Sequence, residues 1–485
     1  MLENFEILFL KTFIFVPFVL SLAIALLSFI KNPIYIRRIA KFFFSATFLL
    51  SFLLIYLTDN TSFDILNINF VYDKSASLFI FISNLIFLLF SFISKSFISK
   101  LHKVFYSTLM LLSALLNTVI LSDNISLTLI LIFWIILIGW LYSVCWNKNL
   151  SKKELSFQLI SNVFWYICAI ILIFVEFARY FIVNEISLNF SLINKYIYNI
   201  NDTSITLAFV GFFILIFKFY NLIPFSKESL DNCEKTSPFI FSINSIISII
   251  LGSFFLIKTY LIFDYVIYQH QDFIAIYLLI NFIYFLLLSF RQDNFIKFLI
   301  CAGNVVLLNG FFLIFSFEDE TFVAFVYYLL IYIASMSFSY FVFTVLSNKF
   351  KTNQIEEIKK YTSISSLVKF FIFTSLINFA RIPLLPLFTS GTICFLVIFS
   401  TSYENIILNI APYILIFGVL ILSLNSFNII YKILIEPTEK SKSLITFSRH
   451  QIMPILILVF LLILLGLFPQ YIFEQFVETF SVGGF

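Results

Sequence analysis

Apolar runs about as long as a bilayer-crossing helix follow one another along almost the whole of this chain, separated by short polar breaks. A helix that crosses hydrocarbon needs about 20 predominantly apolar residues. Cutting the 485-residue sequence at its charged or turn-rich breaks leaves fourteen such runs: 7–30, 39–57, 76–94, 104–122, 125–146, 156–182, 203–224, 238–263, 273–290, 298–316, 321–346, 364–398, 405–434 and 451–473. The chain is 61% hydrophobic and 12% charged, against roughly half and about a quarter in a soluble domain. The expected fold is therefore an all-α polytopic membrane protein of about 14 transmembrane helices. Run one, Ile7 to Ile30, is too long for a signal-peptide core and lacks a convincing small-residue cleavage site, so it is expected to be a retained span. Run twelve contains Pro383 and Pro386 and run seven ends on Pro224. Broken helices are expected at both, because proline at membrane depth releases backbone groups that neighbours must satisfy.

The count has an independent check in the loops, since cytoplasmic or matrix loops carry excess Lys and Arg. Lys31, Arg37, Arg38 and Lys41 follow run one; Lys95, Lys100 and Lys103 follow run three; Lys148, Lys152 and Lys153 follow run five. The alternate side offers Glu3 and Glu6, then Asp59, Asp64 and Asp73 against Lys74, then Asp123. Later, Asp264 and Asp272, then Glu318, Asp319 and Glu320, then Glu474 and Glu478 fall on that same side, while Lys349, Lys351, Lys359 and Lys360 fall on the basic one. One missed or invented helix would invert the pattern downstream. Both termini are expected on the periplasmic or intermembrane-space side. The longest polar connections, 58–75, 183–202, 347–363 and 435–450, are too short for a soluble domain, so residues 1–485 are expected to form a single membrane domain with no strong direct repeat.

Several function classes fall away. The five cysteines (145, 168, 233, 301 and 394) and three histidines (102, 270 and 450) are scattered without metal-ligand spacing, so no metal, haem or iron–sulfur site is expected. No Walker sequence, no GxGxxG after a strand and no concentrated basic patch appears, which excludes a nucleotide domain and a nucleic-acid partner. Energy must come from an ion gradient or a partner subunit, and the lipid bilayer is the one certain surrounding.

Charges inside spans are costly and usually line a bundle interior or a hydrated path. Here they are Lys11, Glu176, Arg179, Lys218, Lys258, Lys369, Arg381 and Lys432, seven bases and one acid. Lys218, in IFKFYNLIP near the middle of run seven, lies too deep to snorkel easily. It is either a proton-exchanging group, since a buried lysine readily loses its proton, or a structural partner of a carboxylate. Glu176 and Arg179 are three apart on one helical face, an ion pair or part of a proton path. Lys258, Lys369 and Lys432 lie nearer span ends, where long side chains reach the interface. Arg381 precedes IPLLP, where broken-helix carbonyls are the expected acceptors and the role structural.

The segment GFFILIFKFYNLIPFSKESLDNCEKTSPFIFSINS, within Gly211 to Lys258, resembles the antiporter-like subunits of respiratory NADH:quinone oxidoreductase and of Mrp-type cation/proton antiporters. The resemblance places Lys218 at the family lysine, Pro224 and Phe225 at its Pro-Phe, Asp231 and Glu234 at its acids, and Pro238 and Ser242 at the opening of the next span. Arg291 to Phe315 is similar to a second family helix through Asp293, Lys297 and Ala302. The stretch from Asn353 to Gly391 is similar to one ending in Gly-Ile-Pro-Pro-x-x-Gly-Phe-x-x-Lys, through Ile382, Pro383, Phe388 and Ser390. The three blocks make 203–398 the core motif region. Two family charges are missing. Ile135 follows Trp134 where the family carries a carboxylate, and Gly391 stands where it carries lysine or glutamate; the basic residue expected in span eight falls near Leu251.

What the resemblance implies is a divergent proton-translocating membrane-arm subunit of the subunit 2 or 4 class. It is a non-redox part of the translocase, coupling electron transfer in partner subunits to proton movement. Lys218, Glu176, Arg179, Lys258, Lys369 and Lys432 are its proton-path candidates; Pro224, Asp231, Glu234, Pro238, Arg381 and Pro383 are structural or coupling candidates. The chain itself is expected to bind no cofactor or metal, with NADH, flavin, iron–sulfur clusters and quinone on partners in a large hetero-oligomeric complex. The expected location is the mitochondrial or bacterial inner membrane, in keeping with an A+T-rich coding bias toward Phe, Ile, Asn and Lys. The alternatives are an Mrp-type antiporter subunit and a transport-inactive structural subunit of the respiratory complex.

Overall fold

The computed structural model describes residues 10, 11, 19, 32–57, 61–65, 68–72, 74–98, 100–146, 151–183, 189–191, 193, 202–317, 319–350, 352–359, 365–400, 406–435 and 446–469. Among these, helices follow in the order α1 Pro33–Leu57, α2 Lys74–Ile93, α3 His102–Leu121, α4 Ile125–Trp146, α5 Lys152–Val183, α6 Asp202–Tyr220, α7 Ser226–Lys235, α8 Pro238–Ile262 and α9 Asp264–Gln269. They continue as α10 Gln271–Phe290, α11 Phe295–Phe311, α12 Asp319–Phe350, α13 Ile355–Lys359, α14 Ser366–Phe379, α15 Pro386–Ser400, α16 Ile406–Ile430 and α17 Arg449–Leu467.

Twelve described helices are long and apolar enough to cross a membrane. They coincide with runs two to eleven, thirteen and fourteen. Run twelve is two shorter apolar helices, α14 and α15, so the broken helix expected there is present. Run one lies outside the described residues but for three positions. The protein is an all-α polytopic integral membrane protein, and its architecture agrees with about fourteen spans.

Capping residues set where the helices begin. Ser151 and Glu154 form a reciprocal box before α5: the Ser151 amide donates to Glu154 Oε2 at 3.0 Å and the Glu154 amide to Ser151 Oγ at 3.3 Å. Ser448 and Gln451 form another before α17. Asn124 accepts from the Leu127 amide at 3.0 Å to start α4, and Asn294 from the Ile296 amide at 3.0 Å to start α11. Between α1 and α2, the loop expected at 58–75 contains an antiparallel hairpin, β1 Thr61–Ile65 with β2 Ile68–Tyr72, in which Phe63 pairs with Phe70. The polar breaks drew attention away from a period-two alternation of apolar and polar residues that suits strands.

Two helices break in the same way. After α6, Asn221 takes a left-handed φ of 56°, the Ile223–Pro224 peptide is cis, and α7 starts at Ser226. After α14, Arg381 takes φ 50° and Leu384 φ 81°, and α15 starts at Pro386. Each turn is closed by one backbone bond of the same register, Phe225 to the Leu222 carbonyl and Leu385 to the Ile382 carbonyl. Both prolines after the helix ends, Pro224 and Pro383, are exposed.

The chain divides into two compact units, residues 1–219 with 247–266, and residues 220–246 with 267–485. In the first, α2 and α3 bury a polar seam: Asn117 donates to Asn84 Oδ1 at 3.2 Å, and Ser83 to Asn117 Oδ1 at 3.2 Å. In the second, α11 and α12 are enclosed on every side, as suits helices without a polar face. Phe42, Phe157, Phe273 and Leu396 point outward, as a lipid-facing surface requires.

Candidate functional site

In the first unit, Lys218 does not stand mid-helix. Because the chain turns at Asn221, α6 ends at Tyr220 and Lys218 occupies its last turn, half-buried. A cation there lies at the negative end of the helix dipole, which favours positive charge. Lys258, half-buried one turn before the end of α8, lies 5.6 Å from the centre of the Phe254 ring, within cation–π range. Glu176 and Arg179 fall on α5, and their side chains lie outside what is described. The family carboxylate position, Ile135, is buried on α4 beside an exposed Trp134, so an apolar side chain fills it.

In the second unit, the motif blocks meet. Glu234, exposed on α7, pairs with Lys297 of α11 at 2.8 Å and accepts from Asn294 Nδ2 at 3.4 Å. The Phe295 amide donates to the Asn353 carbonyl at 2.9 Å, and the Ile355 amide to the Asp293 carbonyl at 2.8 Å. Residues of all three blocks are thus bonded at one end of α11. Asp231 is exposed and Pro238 half-buried, the latter opening α8. Four residues beyond it, Ser242 Oγ lies 2.6 Å from Thr344 Oγ1 of α12. Below Glu234, burial pushes the Cys233 thiol up to about 12, with Lys297 acting in the opposite sense.

The other candidates are dispersed. Lys369 is half-buried in the first turn of α14. Lys432 is exposed in the π turn that extends α16. Arg381 is buried at 8% exposure, and its Nη2 donates not to a carbonyl but to the Tyr328 hydroxyl of α12, at 3.0 Å. Among the described residues no group of three His, Cys, Asp or Glu gathers as a metal site would.

A search for charged side chains passes over the uncharged polar ones. Asn84, Asn117, Asn309 and Asn378 are each at most 2% exposed. Asparagine within an apolar run is the sequence signal for them. Lys297, matched by resemblance to the second family helix, gains its ion-pair partner Glu234 only in the structure.

No family model matches the sequence, and no curated protein matches it. Solved structures do. Over 100% of both chains the structure superposes, with a TM-score of 0.80 and 14% identity, on a chain of respiratory complex I from Thermus thermophilus with bound NADH. A chain of the Mrp complex from Dietzia sp. DQ12-45-1b gives 0.79 and 13% identity over 100% of this chain and 98% of that one. A chain of the membrane-bound sulfane sulfur reductase, an archaeal respiratory membrane complex, gives 0.76 and 14% identity over 97% and 96%. The fold is therefore that of chains found in respiratory complex I and in the Mrp complex.

Proposed function

We propose that this chain is a divergent, proton-translocating membrane-arm subunit of NADH:quinone oxidoreductase. The observation that carries the reading is a full-length likeness to a complex I chain, together with a lysine in the last turn of a helix broken at a proline turn. In this reading NADH, flavin, iron–sulfur clusters and quinone reside on partner subunits, and the termini face the periplasm or intermembrane space. Coupling reaches Lys218 through neighbouring subunits, with Lys218 as the surviving protonatable centre.

Two experiments test this. Native-gel complexome profiling should find the chain comigrating with flavin and iron–sulfur subunits; migration with small antiporter subunits would favour the Mrp reading instead. Lys218→Ala should lower proton pumping per electron while the complex still assembles. Unchanged pumping in the assembled variant would support a second reading, a transport-inactive structural subunit. That reading draws its support from Ile135 and Gly391, where side chains able to hold a proton are replaced by ones that cannot.

A further inference from the structure

We infer that Arg381 is a fixed electrostatic barrier, set among buried polar side chains of α11, α12, α14 and α15, that bars the passage of protons and cations, and is not a relay for them. The inference rests on reading the chain as an ion-path protein, but it concerns a place where that reading names no function. Arg381 is 8% exposed, yet its Nε and Nη1 have no hydrogen-bond partner. Nη2 alone is paired, with Tyr328, and the guanidinium carbon lies 5.8 Å from the Phe395 ring centre. Among the described residues no carboxylate pairs with it.

The surrounding groups are polar, buried and likewise unpaired. Both side-chain polar atoms of Asn309 and of Asn378 lack partners, as does Ser390 Oγ, and all three residues are at most 1% exposed. Arg381 donates its amide to the Asn378 carbonyl at 3.1 Å. Cys394 of α15 donates to the Asn309 carbonyl at 3.4 Å, which joins α11 to the same place. Polar atoms at membrane depth demand partners, so this is a polar place inside an otherwise apolar set of helices.

Position 391 explains how the cation fits. A Cβ on Gly391 would lie 2.6 Å from Arg381 Nη1, so the absence of a side chain there lets the guanidinium lie against α15 as it does. The sequence pattern therefore exchanges two residues. Where the resembling family has glycine at the turn and a titratable group on the helix, this chain has arginine at the turn and glycine on the helix. A guanidinium stays protonated throughout the accessible pH range. It cannot pass a proton by losing one, and its charge repels any proton or cation that approaches it.

The test is passive proton flux. The purified full chain is reconstituted into liposomes holding a pH-sensitive dye, and a valinomycin-set potassium potential, negative inside, drives proton entry. Wild type should be as tight as protein-free vesicles. Arg381→Gln should raise entry by about tenfold or more, and Arg381→Lys, which keeps the charge, should stay tight at neutral pH. If Arg381→Gln is not recovered as monodisperse protein, Arg381→Met, which also removes the charge, takes its place and should leak measurably. Equal flux in wild type and the charge-removing variant, whether both tight or both leaky, overturns the barrier, as does a leaky Arg381→Lys. None of these outcomes bears on the Lys218 pumping test, so the two readings fail separately.

Discussion

Cys233 and Cys145 show how much the surroundings of one residue type decide. Burial holds the Cys233 thiol near 12, while Cys145 is exposed on α4. The thiolate is the reactive form, so raising the pKa removes nearly all of it at neutral pH and restores it only as pH climbs toward that value. A maleimide applied at pH 7.5 should therefore modify Cys145 and spare Cys233 until the chain is denatured, as peptide mass spectrometry would show. Equal labelling of the two in the folded chain would refute the burial. At this scale the sequence revealed which charges lie in spans but not what they touch. Arg381 was legible as a costly intramembrane cation; its partner Tyr328 is 53 positions away, and only the packing of α12 against the break brings them together.

Among elements, the breaks after α6 and α14 carry the most consequence. Each ends a span early and turns the chain through a left-handed non-glycine residue, a conformation that side chains rarely adopt. The second break is held from above by α17: a Cβ on Gly466 would fall onto the Leu384 carbonyl, which is backbone and has no rotamer to change. Between helices in lipid such close approach is the main source of association. Gly466→Ala should therefore destabilise the protein by about 1–3 kcal/mol, more than the helix propensity it gains, and should lower the thermal midpoint in detergent. An unchanged or raised midpoint would mean that α17 does not bear on the break. Prolines announced both breaks. The hairpin β1–β2 was missed because five-residue alternation is faint beside runs four times as long.

For the whole molecule, the alternation of basic and acidic loops is the strongest global statement, and it has a direct check. With Cys145 replaced by serine, Lys148→Cys, in the basic segment after α4, should react with a membrane-impermeant maleimide only from the cytoplasmic or matrix side, in right-side-out against inverted vesicles. Labelling from the opposite side would invert the topology of the entire chain, termini included. Whole-chain likeness to solved respiratory and Mrp subunits at 14% and 13% identity shows that this arrangement tolerates almost complete replacement of its residues. Hydrocarbon constrains length, apolarity and satisfied backbone, and many sequences meet those terms.

By itself the sequence determined that the chain is helical and membrane-embedded, where its spans lie, where two of them break, and which charges must be explained. These follow from local rules: apolar length, proline chemistry and loop charge act over a few residues to a few tens. Only the tertiary structure decided that three distant motif blocks are bonded at one end of α11 through Glu234, Lys297, Asp293 and Asn353. It also decided that Lys218 ends a helix instead of crossing one, and that the guanidinium of Arg381 occupies the space left open by Gly391. In a chain whose apolar surface is nearly uniform, one run resembles another, so which helices meet is specified by small residues and rare polar ones. Their pairings depend on three-dimensional neighbours that no local pattern encodes.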